Sequence, residues 1–192
     1  MLTLHPYDYN GLELYHLSPV NHDGELFYPR VPESRMRSED NETPRICFAP
    51  TLEGAYKAVY PNPRHLDLNL FFIHVPNNME DLQAFNSIVM PNVQEVPDVF
   101  DTDELWCLDP VYMLCVGIVM FFTIYDGYEE RWITKPIDVT DIMEDYYGTF
   151  ERGDSLYMPD GEYNETFPND LMDKLRDRAS RAMKYNNQRY NQ

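Results

Sequence analysis

The chain has 192 residues, with 33 acidic side chains against 15 basic ones, a net charge of −18 with neutral histidines. Such a surface repels phosphate backbones and anionic membranes, so the expectation is no direct nucleic-acid binding, no membrane binding, and basic protein surfaces as partners. At 43% hydrophobic and 14% aromatic, the chain is too apolar for whole-chain disorder and suits a single domain over 1–192, with a core roughly over 12–140.

In chain order, Leu12 to Ser18 reads as a strand ended by Pro19. Residues 19–45 are rich in Pro and charge and read as a long loop, a length that suggests a functional border. Arg45 to Ala49 reads as a strand, and Thr51 as the N-cap of a helix over Leu52 to Tyr60. Leu66 to Val75 suits a central strand. Residues 76–97 read as irregular, with a short helix at Met79 to Phe85. Thr102 to Leu108 reads as a strand containing Glu104. The apolar run Tyr112 to Tyr125 reads as a long buried strand, or a strand pair with a bulge at Gly117. Trp132 to Val139 reads as an edge strand because of Pro136. Residues 148–168 read as loop. Leu171, Leu175, Ala179 and Met183 then follow helical spacing, giving a basic amphipathic helix over 169–186. The order predicts an α+β fold, an antiparallel-leaning mixed sheet with few helices, and no glycine-rich phosphate loop.

Charge is segregated. No Lys or Arg occurs from His65 through Glu130, while that stretch holds twelve acids; Glu80 to Asp109, with eight of them, is expected to form a continuous negative face. Lys174, Arg176, Arg178, Arg181, Lys184 and Arg189 reverse the sign near the C-terminus, most simply as an intramolecular balance. Cys47, Cys107 and Cys115 lie in apolar runs without a paired spacing, which predicts neither disulfides nor a zinc knuckle. His65 and His74 fall on opposite faces of a regular strand, so no metal site is expected. The N-terminus shows no basic stretch leading an apolar one, and no apolar run is long enough to span a bilayer; the expectation is a cytoplasmic protein.

Three short islands carry chemistry: His16-Leu17-Ser18 in the first strand, Phe48-Ala49-Pro50-Thr51 at a strand-to-helix junction, and Glu104-Leu-Trp-Cys-Leu-Asp-Pro before Val116-Gly117-Ile118-Val119. In these islands the chain resembles the ADP-ribosyltransferase superfamily of the His, aromatic and Glu type, and in particular its DNA-modifying toxin branch. Phe48 stands where a Tyr is usual, and Thr102 stands where the arginine-modifying members carry a second glutamate. The resemblance implies an ADP-ribosyltransferase-like fold and NAD as substrate, with a protein as the modified target. Glu104 would stabilise the oxocarbenium-like ribosyl cation, because a carboxylate supplies the counter-charge that develops there. His16 would orient the dinucleotide through a ribose hydroxyl, and Phe48 or Tyr56 would stack on nicotinamide. Arg30 or Arg45 would pair with the pyrophosphate, and Ser18 and Thr51 complete the expected binding set. His16 and Glu104 would then face one cleft. The competing reading is an acidic, non-enzymatic inhibitor that fills a basic nucleic-acid channel of a partner protein, as some small proteins of bacterial viruses do. It explains the charge and gives His16, Phe48 and Glu104 no joint role.

Overall fold

The structure, a computed structural model, describes residues 5–6, 13–32, 39–59, 70–77, 87–92, 96, 99–126, 131–156 and 168–189. The elements in order are β1 (His5–Pro6), β2 (His16–Ser18), β3 (Leu26–Phe27), β4 (Ile46–Phe48), α1 (Leu52–Val59), β5 (Leu70–Pro76), β6 (Ile88–Met90), α2 (Val99–Thr102), β7 (Leu105–Cys107), β8 (Val111–Asp126), β9 (Arg131–Asp138), α3 (Thr140–Tyr147) and α4 (Asn169–Arg189). This is an α+β chain built on antiparallel pairings. One sheet runs β1-β6-β7-β4; strands also pair in the order β2-β5-β8-β3, with β9 added on β8. The chain divides into two compact units, the first comprising Met1–Leu17, His22–Asn62 and His74–Val116, the second Ser18–Asn21, Pro63–Ile73 and Gly117–Gln192.

In the first unit the period-two alternation of β4, β6 and β7 sorts their side chains to two faces. Ile46, Phe48, Ile88, Leu105 and Cys107 join Leu14, Val111 and Met113 in one cluster, with Phe27 packed against it. Val89 and Trp106 join Val96 and Val99 in another, with Cys47 and Leu108 against them. Helix α1 begins as expected: Thr51 Oγ1 accepts the Gly54 N–H at 3.0 Å, satisfying one of the first-turn donors. Gly54 has a second reason to be glycine, since a Cβ there would sit 2.4 Å from the Thr102 carbonyl oxygen.

In the second unit, β8 and β9 form a hairpin in register from Val119↔Asp138 to Asp126↔Arg131. Gly117 sits at φ +155, and a Cβ on it would fall 2.7 Å from Thr140 Oγ1, the hydroxyl that accepts the Ile118 N–H at 2.8 Å. Helix α4 buries Leu171 and Leu175, as its spacing predicts. Its cations engage acids of the same unit: Arg178 with Asp141 at 2.5 Å, Arg181 with Asp177 at 2.7 Å, Lys174 with Asp145 at 3.7 Å, and Arg176 with Asp173 at 3.5 Å. These four pairs agree with the intramolecular charge balance expected of this helix. Among the described residues no helix is long and apolar enough to cross a membrane.

Several expectations need correction. The segment 19–45 is not plain loop: it contains β3, and Arg30 bridges Arg45 through paired backbone hydrogen bonds of 3.2 and 3.0 Å. The stretch read as irregular holds β6, whose three apolar residues before Pro91 are too short a run to show a period. Thr102 closes α2 instead of opening a strand, and Asp103 follows at φ 51. That left-handed turn, tolerated by Asp, sets Glu104 immediately before β7. Helix α3 was not foreseen; Ile142 and Met143 are its buried side, and Asp138 Oδ1 accepts the Thr140 N–H at its start, 2.9 Å. Strand β8 is one strand but is not buried throughout, because Tyr112, Leu114 and Val116 are exposed while Val111 and Met113 are buried. Leu12, Tyr60, residues 66–69, the Met79 to Phe85 helix and, of the eight acids of the Glu80 to Asp109 stretch, Glu80, Asp81, Glu95 and Asp98 lie outside the described residues.

Candidate functional site

His16, His22, Phe27, Arg45, Phe48, His74 and Glu104 all belong to the first unit. Strand β4 is its spine. Cys47 faces Trp106 across the β4–β7 ladder and Phe48 faces Leu105, while Ala49 bridges Tyr15. Directly opposed antiparallel residues share a face. His16, one residue beyond Tyr15, thus lies with Phe48, and Glu104, one residue before Leu105, lies with Cys47 and Trp106.

The side-chain contacts agree. On the first face, His16 Nδ1–H donates to the Cys47 carbonyl at 3.1 Å. A carbonyl only accepts, so His16 keeps Nε2 as its open acceptor. Its ring stands edge-on to Phe27 and Phe48, with centroids 5.7 and 6.1 Å away, and 6.3 Å from His74. His74 is fully buried, and its Nε2 accepts the His22 N–H at 2.9 Å. Burial, followed by the neighbouring His16 and His22, pushes His74 down to about 3; burial is also the main cause that lowers His16, with His22 and Arg30 adding to it. Both imidazoles are neutral at pH 7. His22 in turn donates from Nδ1 to Glu25 at 2.6 Å.

On the other face the buried groups are charged. Arg45 is 1% exposed and lies over the Trp106 ring at 4.2 Å. Its Nη2 donates to Glu39, and its Nη1 to Asp40 Oδ1 at 3.3 Å, the Asp40 carbonyl at 3.2 Å and the Thr43 carbonyl at 3.1 Å. Glu104, buried at 7% exposure, accepts the Trp106 Nε1–H at 2.6 Å. Burial raises its pKa most, opposed by hydrogen bonds from Trp106 and Cys47, while Glu39 raises it further. Burial and Glu104 together hold the Cys47 thiol well above its usual range, and burial pushes Cys107 up to about 11. Neither is a thiolate nucleophile at neutral pH.

The expected site residues therefore separate. His16 and Phe48 come together, as the islands implied, and the 19–45 segment contributes His22 and Phe27 beside them. Glu104 does not join them: it lies on the opposite face of β4, closed over by Trp106 and Cys47. Arg45 is committed to Glu39, Asp40 and Trp106, so it is not available to a pyrophosphate. Thr51 caps α1, Tyr56 is buried in α1, and Ser18 Oγ accepts the local Val20 N–H at 3.1 Å. Arg30 is exposed and near enough to His16 to depress its pKa. Sequence reasoning missed His22, Phe27 and the Glu39–Asp40–Arg45–Trp106 network. Its one signal was two acids five and six residues before a strand arginine. Among the described residues no group of His, Cys, Asp and Glu is arranged to hold a metal ion. Comparison with protein-family models, with curated proteins and with solved structures gives no match.

Proposed function

We propose that this chain is an acidic binding protein that docks on a basic surface of a partner protein, acting as an inhibitor that occupies a channel otherwise used by nucleic acid. The observation that supports it is where the charge goes uncompensated. The first unit holds 17 acidic residues against 5 basic ones, a net of −12. One of those five, Arg45, is buried and consumed by acids. Four cations of α4, Lys174, Arg176, Arg178 and Arg181, pair with acids of the second unit. A surface of one sign raises the encounter rate with a basic partner and loses that advantage as salt screens it. The test is displacement of labelled duplex DNA from a panel of basic DNA-binding proteins. The expected result is displacement that weakens from about 50 mM to about 200 mM salt. No displacement from any member at low salt, or displacement indifferent to salt, contradicts the reading.

An ADP-ribosyltransferase-like reading keeps one supporting observation, the open Nε2 of half-buried His16 beside Phe27, Phe48 and Arg30. In that reading NAD is held by His16 and a carboxylate other than Glu104 faces the ribose. A thermal-shift titration with NAD tests it, since a ligand at a hundredfold excess over its Kd stabilises by about 2.7 kcal/mol. No shift at any concentration removes it.

A further inference from the structure

We infer that the outer face of β8 between Tyr112 and Val116 is the docking surface for a partner segment that combines apolar and basic side chains. This rests on the binding-protein reading above and names the surface it uses. Tyr112, Leu114 and Val116 are 51%, 41% and 51% exposed, and they follow one another at the two-residue spacing of a single strand face. On the alternate positions Val111 and Met113 are buried in the core and Cys115 is half-buried, so the exposure is not fraying of the strand. Leu26 pairs directly with Tyr112 in the β3–β8 ladder and extends the same apolar face. Hydrogen bonds hold this stretch from both sides: Gly24 N–H donates to the Met113 carbonyl at 2.8 Å, and Asn77 N–H to the Tyr112 carbonyl at 2.9 Å. A rigid, contiguous apolar stripe on an otherwise polar chain marks an interaction surface.

Charge selects the occupant. Asp23 Oδ1 accepts the Cys115 N–H at 3.0 Å, which brings a carboxylate to the margin of the stripe. Asp109, exposed, precedes the strand by two residues, and no Lys or Arg occurs from His65 through Glu130. A second copy of this chain would bring the same −18 charge against the stripe and is disfavoured. A partner segment with apolar side chains flanked by Lys or Arg satisfies both features at once.

The experiment uses calorimetric titration of the full chain with two synthetic peptides of equal length and charge, one alternating Lys and Leu, the other Lys and Ser. The wild type should bind the Lys/Leu peptide about tenfold or more tightly than the Lys/Ser peptide, from burial of apolar area on the stripe. In Tyr112→Ser/Leu114→Ser, two exposed positions where folding is retained and checked by circular dichroism, the preference should vanish while salt-dependent binding of both peptides persists. Equal binding of both peptides by the wild type, or an unchanged preference in the variant, overturns the surface and leaves the basic-partner reading standing. Binding of neither peptide at low salt overturns both. A wild type that sediments as a dimer, and a variant that does not, overturns the assignment by giving the stripe to a second copy.

Discussion

The two faces of β4 bury polar groups by opposite means. On one face, Arg45 is held charged by Glu39 and Asp40 and stacked on Trp106, with Glu104 beneath. On the other, His16 and His74 are held neutral by burial, His16 beside Phe27 and Phe48 with Nδ1–H donating to the Cys47 carbonyl, and His74 with Nε2 accepting the His22 N–H. The difference is one of ion against dipole. A buried guanidinium keeps its charge and needs counter-charges, whereas an imidazole can shed its proton and needs only one donor or acceptor. The two faces therefore respond to acid with opposite sign. His74, lowered from 6.5 to about 3, contributes stability that is full above pH 6.5 and is lost as pH falls toward 3. Glu104, raised above 4.5, contributes stability that is full below pH 4.5 and is lost as pH rises through its folded value.

The largest break in this comparison is Arg45→Met. It strands Glu39, Asp40 and Glu104 without their cation and should cost about 3–5 kcal/mol in urea unfolding, because an uncompensated buried charge remains. Adding Glu39→Gln and Asp40→Asn to that variant should recover part of the loss; no recovery would mean that the guanidinium acts mainly by packing on Trp106. Next in size is His74→Gln, which keeps an acceptor for the His22 N–H. It should remove one titrating proton from the stability profile between pH 6.5 and about 3, flattening the slope by up to about 1.4 kcal/mol per pH unit. An unchanged slope would assign the acid sensitivity elsewhere. Thr51→Ala should cost about 1 kcal/mol through loss of the α1 cap, without altering either face. Glu104→Gln, which still offers an oxygen to Trp106 Nε1, should change stability at pH 7 by less than about 1 kcal/mol; the measured quantity is again the urea midpoint.

Legibility in the sequence followed the length of each signal. Helices α1 and α4 were readable because Thr51 and Pro168-Asn169-Asp170 mark their starts and the apolar spacing runs over two or more turns. The β4 strand and the antiparallel α+β class were readable from compact apolar runs ended by Pro. The three-residue β6 and the single-turn α2 were not, since neither is long enough to express a period. The candidate site failed for a more specific reason. Whether His16 and Glu104 share a face depends on two registers, Tyr15↔Ala49 and Phe48↔Leu105, and a one-residue slip in either reverses the answer. Local sequence does not encode that parity. It did carry Arg45 and the two acids before it, Glu39 and Asp40, with which Arg45 pairs in the structure.

With His16 and Glu104 on opposite faces of β4, one small molecule is not expected to touch both. Nicotinamide release from NAD, compared between the wild type and Glu104→Gln, tests it most directly. The two proteins are expected to share one background rate, because Glu104 is closed over by Trp106 and Cys47 on the face away from His16. A wild-type rate that falls about 10²–10³-fold in Glu104→Gln, the size expected when a transition-state counter-charge is lost, would contradict it.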